Sequence, residues 1–265
     1  MTSNKTDLNM KSFDILGNIA FVRFSDRFNL KDKKKFAEKI MKENQGIRTV
    51  LEKKGNIKGR LRKLSTNFIA GENTKEVLYK ENGCSFRFDI DKTYFSPRLS
   101  NERKEIASKI RKGDLVLVLF AGVAPFSIVI AKNSKAKKVY SNELNREANK
   151  YAELNIKMNK LKDKVELVNG DAKKISSKLK QKFDVIVMPR PQLKETFLKE
   201  TFKLSKKATI FYYYDFCKIS DIDSVVEKVK EEAKKSKKKI KILNVKKAGE
   251  IAPYKIRLRV DFQVL

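Results

Sequence analysis

Two neighbouring stretches of this chain carry residue types suited to chemistry. The first is Tyr94-Phe-Ser-Pro-Arg-Leu-Ser-Asn-Glu-Arg103, in which Glu102 is a candidate acid/base at the start of a short helix. The second is the hydrophobic run over residues 115–120, which reads as a strand ending at Ala121-Gly122, with Pro125 placed to start the next helix. Strand, glycine turn and helix start leave backbone N–H groups facing whatever lies beyond the strand's carboxyl end. The three-glycine dinucleotide fingerprint is absent. Val139-Tyr-Ser-Asn-Glu143 ends the next predicted strand in an acid placed to accept both hydroxyls of a ribose. Val165-Glu-Leu-Val-Asn-Gly-Asp171 ends a third strand in another. One glycine loop followed by two strand-end acids suits an adenosyl ligand without a pyrophosphate, which means S-adenosylmethionine. The bland alternative is an α/β sheet whose strands merely end in acids.

The elements that must hold these residues follow from the rhythm of the chain. Residues 12–17 and 19–24 read as strands around a Gly-Asn turn, residues 30–43 as a helix with Phe36, Ile40 and Met41 on one face, and residues 84–90 as a strand with one buried face. Past Leu99 strands alternate with helices: strands at 115–120, 138–142, 165–168, 183–188 and 208–214, and helices including 146–159 and 221–235. That alternation predicts a parallel sheet covered by helices. The last two strands, 240–247 and 254–265, follow each other directly and should pair antiparallel at the sheet edge. The expectation is an α/β protein: a class I, Rossmann-like methyltransferase domain over residues 94–265 behind a small α+β domain over residues 1–93.

Composition bears on the partner. Lys and Arg total 62 against 32 Asp and Glu, a net charge of +30, and a field of that sign draws polyanions. Nucleic acid is the first expectation; a lysine-rich proteome or a saline habitat is the alternative. No apolar stretch reaches the roughly 20 residues needed to span a bilayer, and the amino terminus lacks a signal-peptide core. Cys84 and Cys217 stand far apart and make no metal pattern. The expectation is a soluble, cytoplasmic protein without a metal.

These residues also carry a specific resemblance. Tyr94 to Leu99 with Glu102-Arg103, Phe120-Ala-Gly-Val-Ala-Pro-Phe-Ser-Ile128, Phe13-Asp-Ile-Leu-Gly-Asn-Ile-Ala20, Ala70-Gly-Glu72, Glu81-Asn-Gly-Cys84, Asn155-Ile-Lys-Met-Asn159 and Ala252-Pro-Tyr254 occur in an order and spacing similar to the archaeal and eukaryotic tRNA (guanine-N1)-methyltransferase family acting at tRNA position 37. The likeness covers nearly the whole chain. The sister aminocarboxypropyltransferases of wybutosine synthesis usually carry Gly-Asn where this chain has Pro97-Arg98.

The resemblance implies methyl transfer from S-adenosylmethionine to guanine N1, with Glu102 as the base that removes the N1 proton. A chain without histidine leaves a carboxylate as the natural base; the competing reading pairs Glu102 with Arg103 or Lys104 on a solvated face. The family's cation for the charge left on O6 corresponds to Arg62 or Arg60, which could instead bind only phosphate. Tyr94 would lie against cofactor or base, or in the core. Cofactor contacts would come from Arg98, Phe120, Ala121, Gly122, Val123, Glu143, Leu144, Asp171 and Ala172. Pro189, Arg190, Pro191 and Gln192 stand where the family has Asn-Leu-Pro against the target base, and Arg190 or Gln192 would replace the missing side-chain hydrogen bond. Val118 and Ala124 stand where the family usually has Asp and Gly.

Many relatives carry a further amino-terminal domain that reads the tRNA elbow. Too little chain precedes Phe13 for one, so a short monomeric form that grips the anticodon stem-loop is expected. A wybutosine-pathway transferase, acting by aminocarboxypropyl transfer or by methylating a tricyclic guanine derivative, and a nonenzymatic RNA-binding protein remain as alternatives.

Overall fold

Gly17-Asn18 turns the chain between its first two strands, and position 17 tolerates no side chain. Gly17 has φ +59°, and a Cβ there would lie 1.9 Å from the Leu78 carbonyl oxygen. The computed structural model describes residues 13–58, 63–189, 193 and 195–265. The chain forms two units: one of the residues up to Lys80 with Arg87–Tyr94, the other of Glu81–Phe86 with Phe95–Leu265.

In the first unit β1 (Asp14–Leu16) pairs antiparallel with β2 (Ile19–Val22), and α1 (Leu30–Glu43) leads to β3 (Thr49–Lys58), parallel to β2. β4 (Lys63–Gly71) completes a four-stranded sheet in the order β1-β2-β3-β4. The α1 amino terminus is capped by Asn29, whose side chain accepts from the Asp32 N–H at 2.9 Å. Its buried stripe of Phe36, Ala37 and Ile40 packs with Ala20, Val22, Val50 and Ile69. β5 (Glu76–Glu81) and β6 (Cys84–Asp89) form a two-stranded hairpin. Positive φ at both Asn82 and Gly83 suits the right-handed twist of such a tight turn.

The second unit holds a seven-stranded sheet. A turn of 3₁₀ helix, Pro97–Leu99, leads into α2 (Ser100–Lys109), followed by β7 (Leu115–Val118), α3 (Pro125–Asn133), β8 (Lys138–Glu143), α4 (Arg146–Met158), β9 (Val165–Asn169), α5 (Ile175–Lys178), β10 (Phe183–Met188), α6 (Leu198–Phe202), β11 (Ser205–Lys218), α7 (Ile222–Lys235), β12 (Ile240–Ala252) and β13 (Lys255–Val264). The sheet order is β12-β13-β11-β10-β7-β8-β9. Strands β7 to β11 are mutually parallel, whereas β13 runs antiparallel to both β11 and the edge strand β12.

Strand alternation gives the two faces different contents. Phe211 and Phe262 stack at 4.7 Å between ring centres on the face that packs with Phe202, Val225 and Val229 of α6 and α7. The opposite face carries Tyr212, Tyr214, Arg259 and Asp261, cross-strand neighbours through the pairs Tyr212↔Asp261 and Tyr214↔Arg259. Tyr214 meets Phe126 of α3 edge-on, with ring centres 6.0 Å apart. Among the described residues no helix is long and apolar enough to cross a membrane, and no cluster of potential metal ligands occurs.

Candidate active site

The loop after β7 is held in an unusual backbone shape. Phe120, Gly122 and Ala124 take φ of +54°, +58° and +66°, a left-handed conformation that L side chains adopt only at a cost. The turn brings the Gly122 N–H to 2.7 Å from Glu143 Oε2, while Glu143 Oε1 accepts from the Asn145 N–H at 2.8 Å. A carboxylate has about four lone-pair positions, so Glu143 keeps acceptor capacity for a ligand diol. Further ties fix the neighbouring strand ends: Ala121 N–H to Asn142 O at 2.9 Å, Gly170 N–H to Glu143 O at 2.9 Å, and Asn155 Nδ2 of α4 to Val123 O at 3.2 Å.

Asp171 opens the turn after β9 and accepts from the Lys173 N–H at 2.9 Å; Ala172 beside it is buried. The residues expected to hold the donor, 120–123, 143–144 and 171–172, therefore sit at the carboxyl ends of three adjacent parallel strands, β7, β8 and β9. Beside them, Leu144, Arg146, Asn149, Lys150, Leu167 and Gly170 line part of a groove of about 510 Å³. Asn149 Nδ2 donates to Glu143 O at 3.1 Å, and its buried Oδ1 has no partner among the described residues. An acceptor-rich rim with N–H groups at the glycine turn fits an adenosyl ligand, which offers hydroxyl and amino donors. Val118 is buried in β7, and Ala124, in place of glycine, keeps the left-handed shape that glycine would favour.

Glu102 is buried in the first turn of α2. Its Oε2 accepts from the Tyr214 hydroxyl at 2.9 Å and from Arg259 Nη1 at 2.6 Å, and Lys246 Nζ stands 3.2 Å from Oε1. Arg259 is fully buried; its remaining donors go to Asp261, at 2.7 and 3.0 Å, and to Glu105 at 2.7 Å. Burial opposes the Arg259 charge, but its hydrogen bonds to Glu105 and Asp261 outweigh that and hold the guanidinium above its ordinary value. Arg259 in turn holds the Glu105 carboxyl well below the usual carboxylate range, with Lys246 and Lys109 adding to the effect against burial. Burial pushes the Tyr212 hydroxyl up to about 12, helped by Asp261.

The helix neighbour Arg103 points elsewhere. Its guanidinium is buried, pairs in two-pronged fashion with Glu81, reaches the Ser96 carbonyl at 3.0 Å and lies over the rings of Phe95 and Phe126. The alternative of Glu102 paired with Arg103 or Lys104 on a solvated face is thus not what forms.

Tyr94 is half-buried at the end of the first unit, and Arg98 is exposed on the 3₁₀ turn ahead of α2. Pro189 follows β10, the other strand beside β7, and is half-buried. Arg60, Arg62, Arg190, Pro191 and Gln192 lie outside the described residues. Reasoning from sequence passed over Tyr214, Arg259, Asp261, Glu105 and Lys246. A signal was present in Arg257-Leu-Arg-Val-Asp261, where charges recur at every second position of an otherwise apolar strand and so share one face.

Comparison with known proteins agrees with this geometry. Residues 77–243 match the TRM5/TYW2 methyltransferase domain and residues 1–74 the TYW2 N-terminal domain. The tRNA (guanine(37)-N(1))-methyltransferase Trm5b of Pyrococcus abyssi is 34% identical over 96% of this chain and 74% of its own. Its crystal structure superposes with a TM-score of 0.82 at 32% identity, covering 96% of this chain and 75% of that one. The tRNA (guanine(37)-N(1))/4-demethylwyosine(37)-methyltransferase Taw22 of Nanoarchaeum equitans is 30% identical over 96% of this chain and its whole length. Trm5 of Methanocaldococcus jannaschii, solved in complex with adenosine, matches with a TM-score of 0.77 at 27% identity over 96% of this chain and 72% of that one. With the methyltransferase-domain match over most of its length and a relative 34% identical over 96% of it, the chain belongs to the TRM5/TYW2 methyltransferase family.

Proposed function

We propose that this protein transfers a methyl group from S-adenosylmethionine to N1 of guanosine 37 in tRNA, with Glu102 as the general base. The observation that carries this is the position of Glu102: one tyrosine ring, Tyr214, separates its carboxylate from Phe126 in the first turn of the helix that the glycine loop starts. Curated relatives that act at guanosine 37 supply the substrate.

Guanine N1 carries a proton and attacks poorly until that proton leaves. S-adenosylmethionine supplies an electrophilic methyl group on a sulfonium. Glu102 takes the N1 proton as N1 forms its bond to the methyl carbon and the sulfur–carbon bond breaks, leaving a neutral thioether. Glu143 would accept from the donor's ribose hydroxyls and Asp171 from its adenine amino group, Phe120, Ala121, Gly122 and Val123 would form the loop on its methionine side, and Arg98, Leu144 and Ala172 would add further donor contacts. Arg62 or Arg60 offsets charge at O6. The family resemblance assigns contacts with the target base to Tyr94, Pro189, Arg190, Pro191 and Gln192, and that base must leave its stack to reach the donor. The net charge of +30 favours a tRNA backbone, here the anticodon stem-loop, and its self-repulsion favours a monomer; a tRNA substrate makes the cytoplasm the place of action.

The test is methyl transfer to two tRNA transcripts that differ only in guanosine or adenosine at position 37. The guanosine transcript accepts methyl and the adenosine transcript does not. Glu102→Gln lowers the rate by about a hundredfold or more, within the usual range for losing a general base. Undiminished transfer by Glu102→Gln would remove the base assignment.

A second reading is favoured by the likeness to Taw22, the TYW2-type match of residues 1–74 and Pro189 where the family has an amide side chain. The same site would then also methylate the tricyclic 4-demethylwyosine, and transfer to tRNA carrying that nucleoside tests it.

A further inference from the structure

We infer that Arg259 and Tyr214 are positioning residues that immobilise one oxygen of Glu102, Oε2, so that Oε1 is the atom that receives the proton from the substrate. The inference rests on Glu102 being the base. Oε2 is engaged twice, by the Tyr214 hydroxyl at 2.9 Å and by Arg259 Nη1 at 2.6 Å. Neither donor is free to turn away: Arg259 is anchored on Asp261 and Glu105, and Tyr214 is buried with its ring against Phe126.

Oε1 has a different neighbour. Lys246 Nζ, 3.2 Å away, sits on a flexible stem whose side chain is 40% exposed, and it is shared with Glu105. A lysine of that kind can give up Oε1 and keep its bond to Glu105, which opens the oxygen to an incoming N–H.

The charges around the site balance. Glu102, Glu105 and Asp261 face Arg259, Lys246 and Lys109, three carboxylates against three cations. Tyr214 is protonated throughout the working range, because burial and the Glu102 charge push its hydroxyl well above the ordinary value. It is therefore a donor to the carboxylate. The groups facing Glu102 are Lys246 from β12, Tyr214 from β11 and Arg259 from β13, with Glu105 and Lys109 of its own helix and Asp261 completing the cluster. Proton transfer from guanine N1 moves the hydrogen to Oε1, and the methyl group takes its place on nitrogen.

The test is the single-turnover rate of methyl transfer against pH for wild type, Tyr214→Phe and Arg259→Lys, with donor and tRNA affinities and melting temperature measured alongside. Tyr214→Phe keeps the ring and removes only the hydroxyl. It is expected to slow transfer about tenfold, the usual effect of one lost hydrogen bond to a charged group, with both affinities within about twofold. Its acidic limb should move upward by roughly half to one pH unit, since a donor that favours the ionised carboxylate has gone.

A Tyr214→Phe protein that folds, binds both substrates and shows the wild-type limb and rate would overturn the inference, provided that Glu102→Gln is inactive. An active Glu102→Gln overturns the base assignment itself, and this inference with it. Arg259→Lys is expected to move the limb in the same direction, and an unmoved limb in a folded Arg259→Lys protein counts against the clamp. If Arg259→Lys does not fold, Tyr214→Phe alone decides.

Discussion

Ala124 takes φ +66° at the cap of the helix that follows the glycine loop, where a side chain costs about 1–2 kcal/mol. Ala124→Gly removes that strain and adds chain entropy to the unfolded state, which offsets about half of the gain. The expected outcome is a protein more stable by up to about 1 kcal/mol, read as a higher melting temperature, with donor affinity undiminished. The buried Ala124 methyl group leaves no room for a larger residue to share that conformation. The neighbouring Glu143 shows why single residues at this turn carry weight: its Oε2 holds the Gly122 N–H of the loop and its Oε1 the Asn145 N–H at the start of α4.

Helix α2 is held by opposite charges on two sides, to the β5–β6 hairpin by Arg103 with Glu81 and to β13 by the Glu102/Glu105 pair with Arg259. The Glu105 carboxyl is held below its unfolded value near 4.3. Its contribution to stability is therefore complete above that pH and is lost as pH falls below it toward the lower folded value. Wild type should lose denaturant resistance between about pH 5 and pH 3 more steeply than Glu105→Gln, which starts weaker at neutral pH and changes less over that window. Urea midpoints across pH check this.

The central strands β7 and β10 were legible because each is a short apolar run bounded by turn residues, and α1 because Phe36 and Ile40 mark one face. The loop and its strand-end acids were legible for the same reason: their positions follow from where strands stop. β3 and β4 were not, since Thr49–Lys58 carries three Lys and a Gly and gains its identity from pairing rather than from alternation. The partners of Glu102 were hidden as well. Arg259 and Tyr214 lie 157 and 112 residues away in sequence, and only the β11–β13 register sets them side by side.

Across the molecule the excess of 30 positive charges implies binding to a polyanion through its phosphates. The lysines converge in places: Lys182, Lys199, Lys203, Lys235, Lys237 and Lys238 line a groove of about 270 Å³. Affinity for tRNA should fall at least about tenfold between roughly 50 and 200 mM salt, as counterion release requires. Donor affinity should change by less than about twofold, since a small ligand displaces few counterions. Titrations of each ligand at several salt concentrations separate the two. The measurement that bears most directly on the whole account is nucleoside mass spectrometry of a tRNA transcript with guanosine at position 37, after incubation with the protein and S-adenosylmethionine. The expected product is 1-methylguanosine at that position, absent when Glu102→Gln replaces the wild type. An aminocarboxypropyl adduct, methylation at another atom or position, or tight tRNA binding with no product would contradict it.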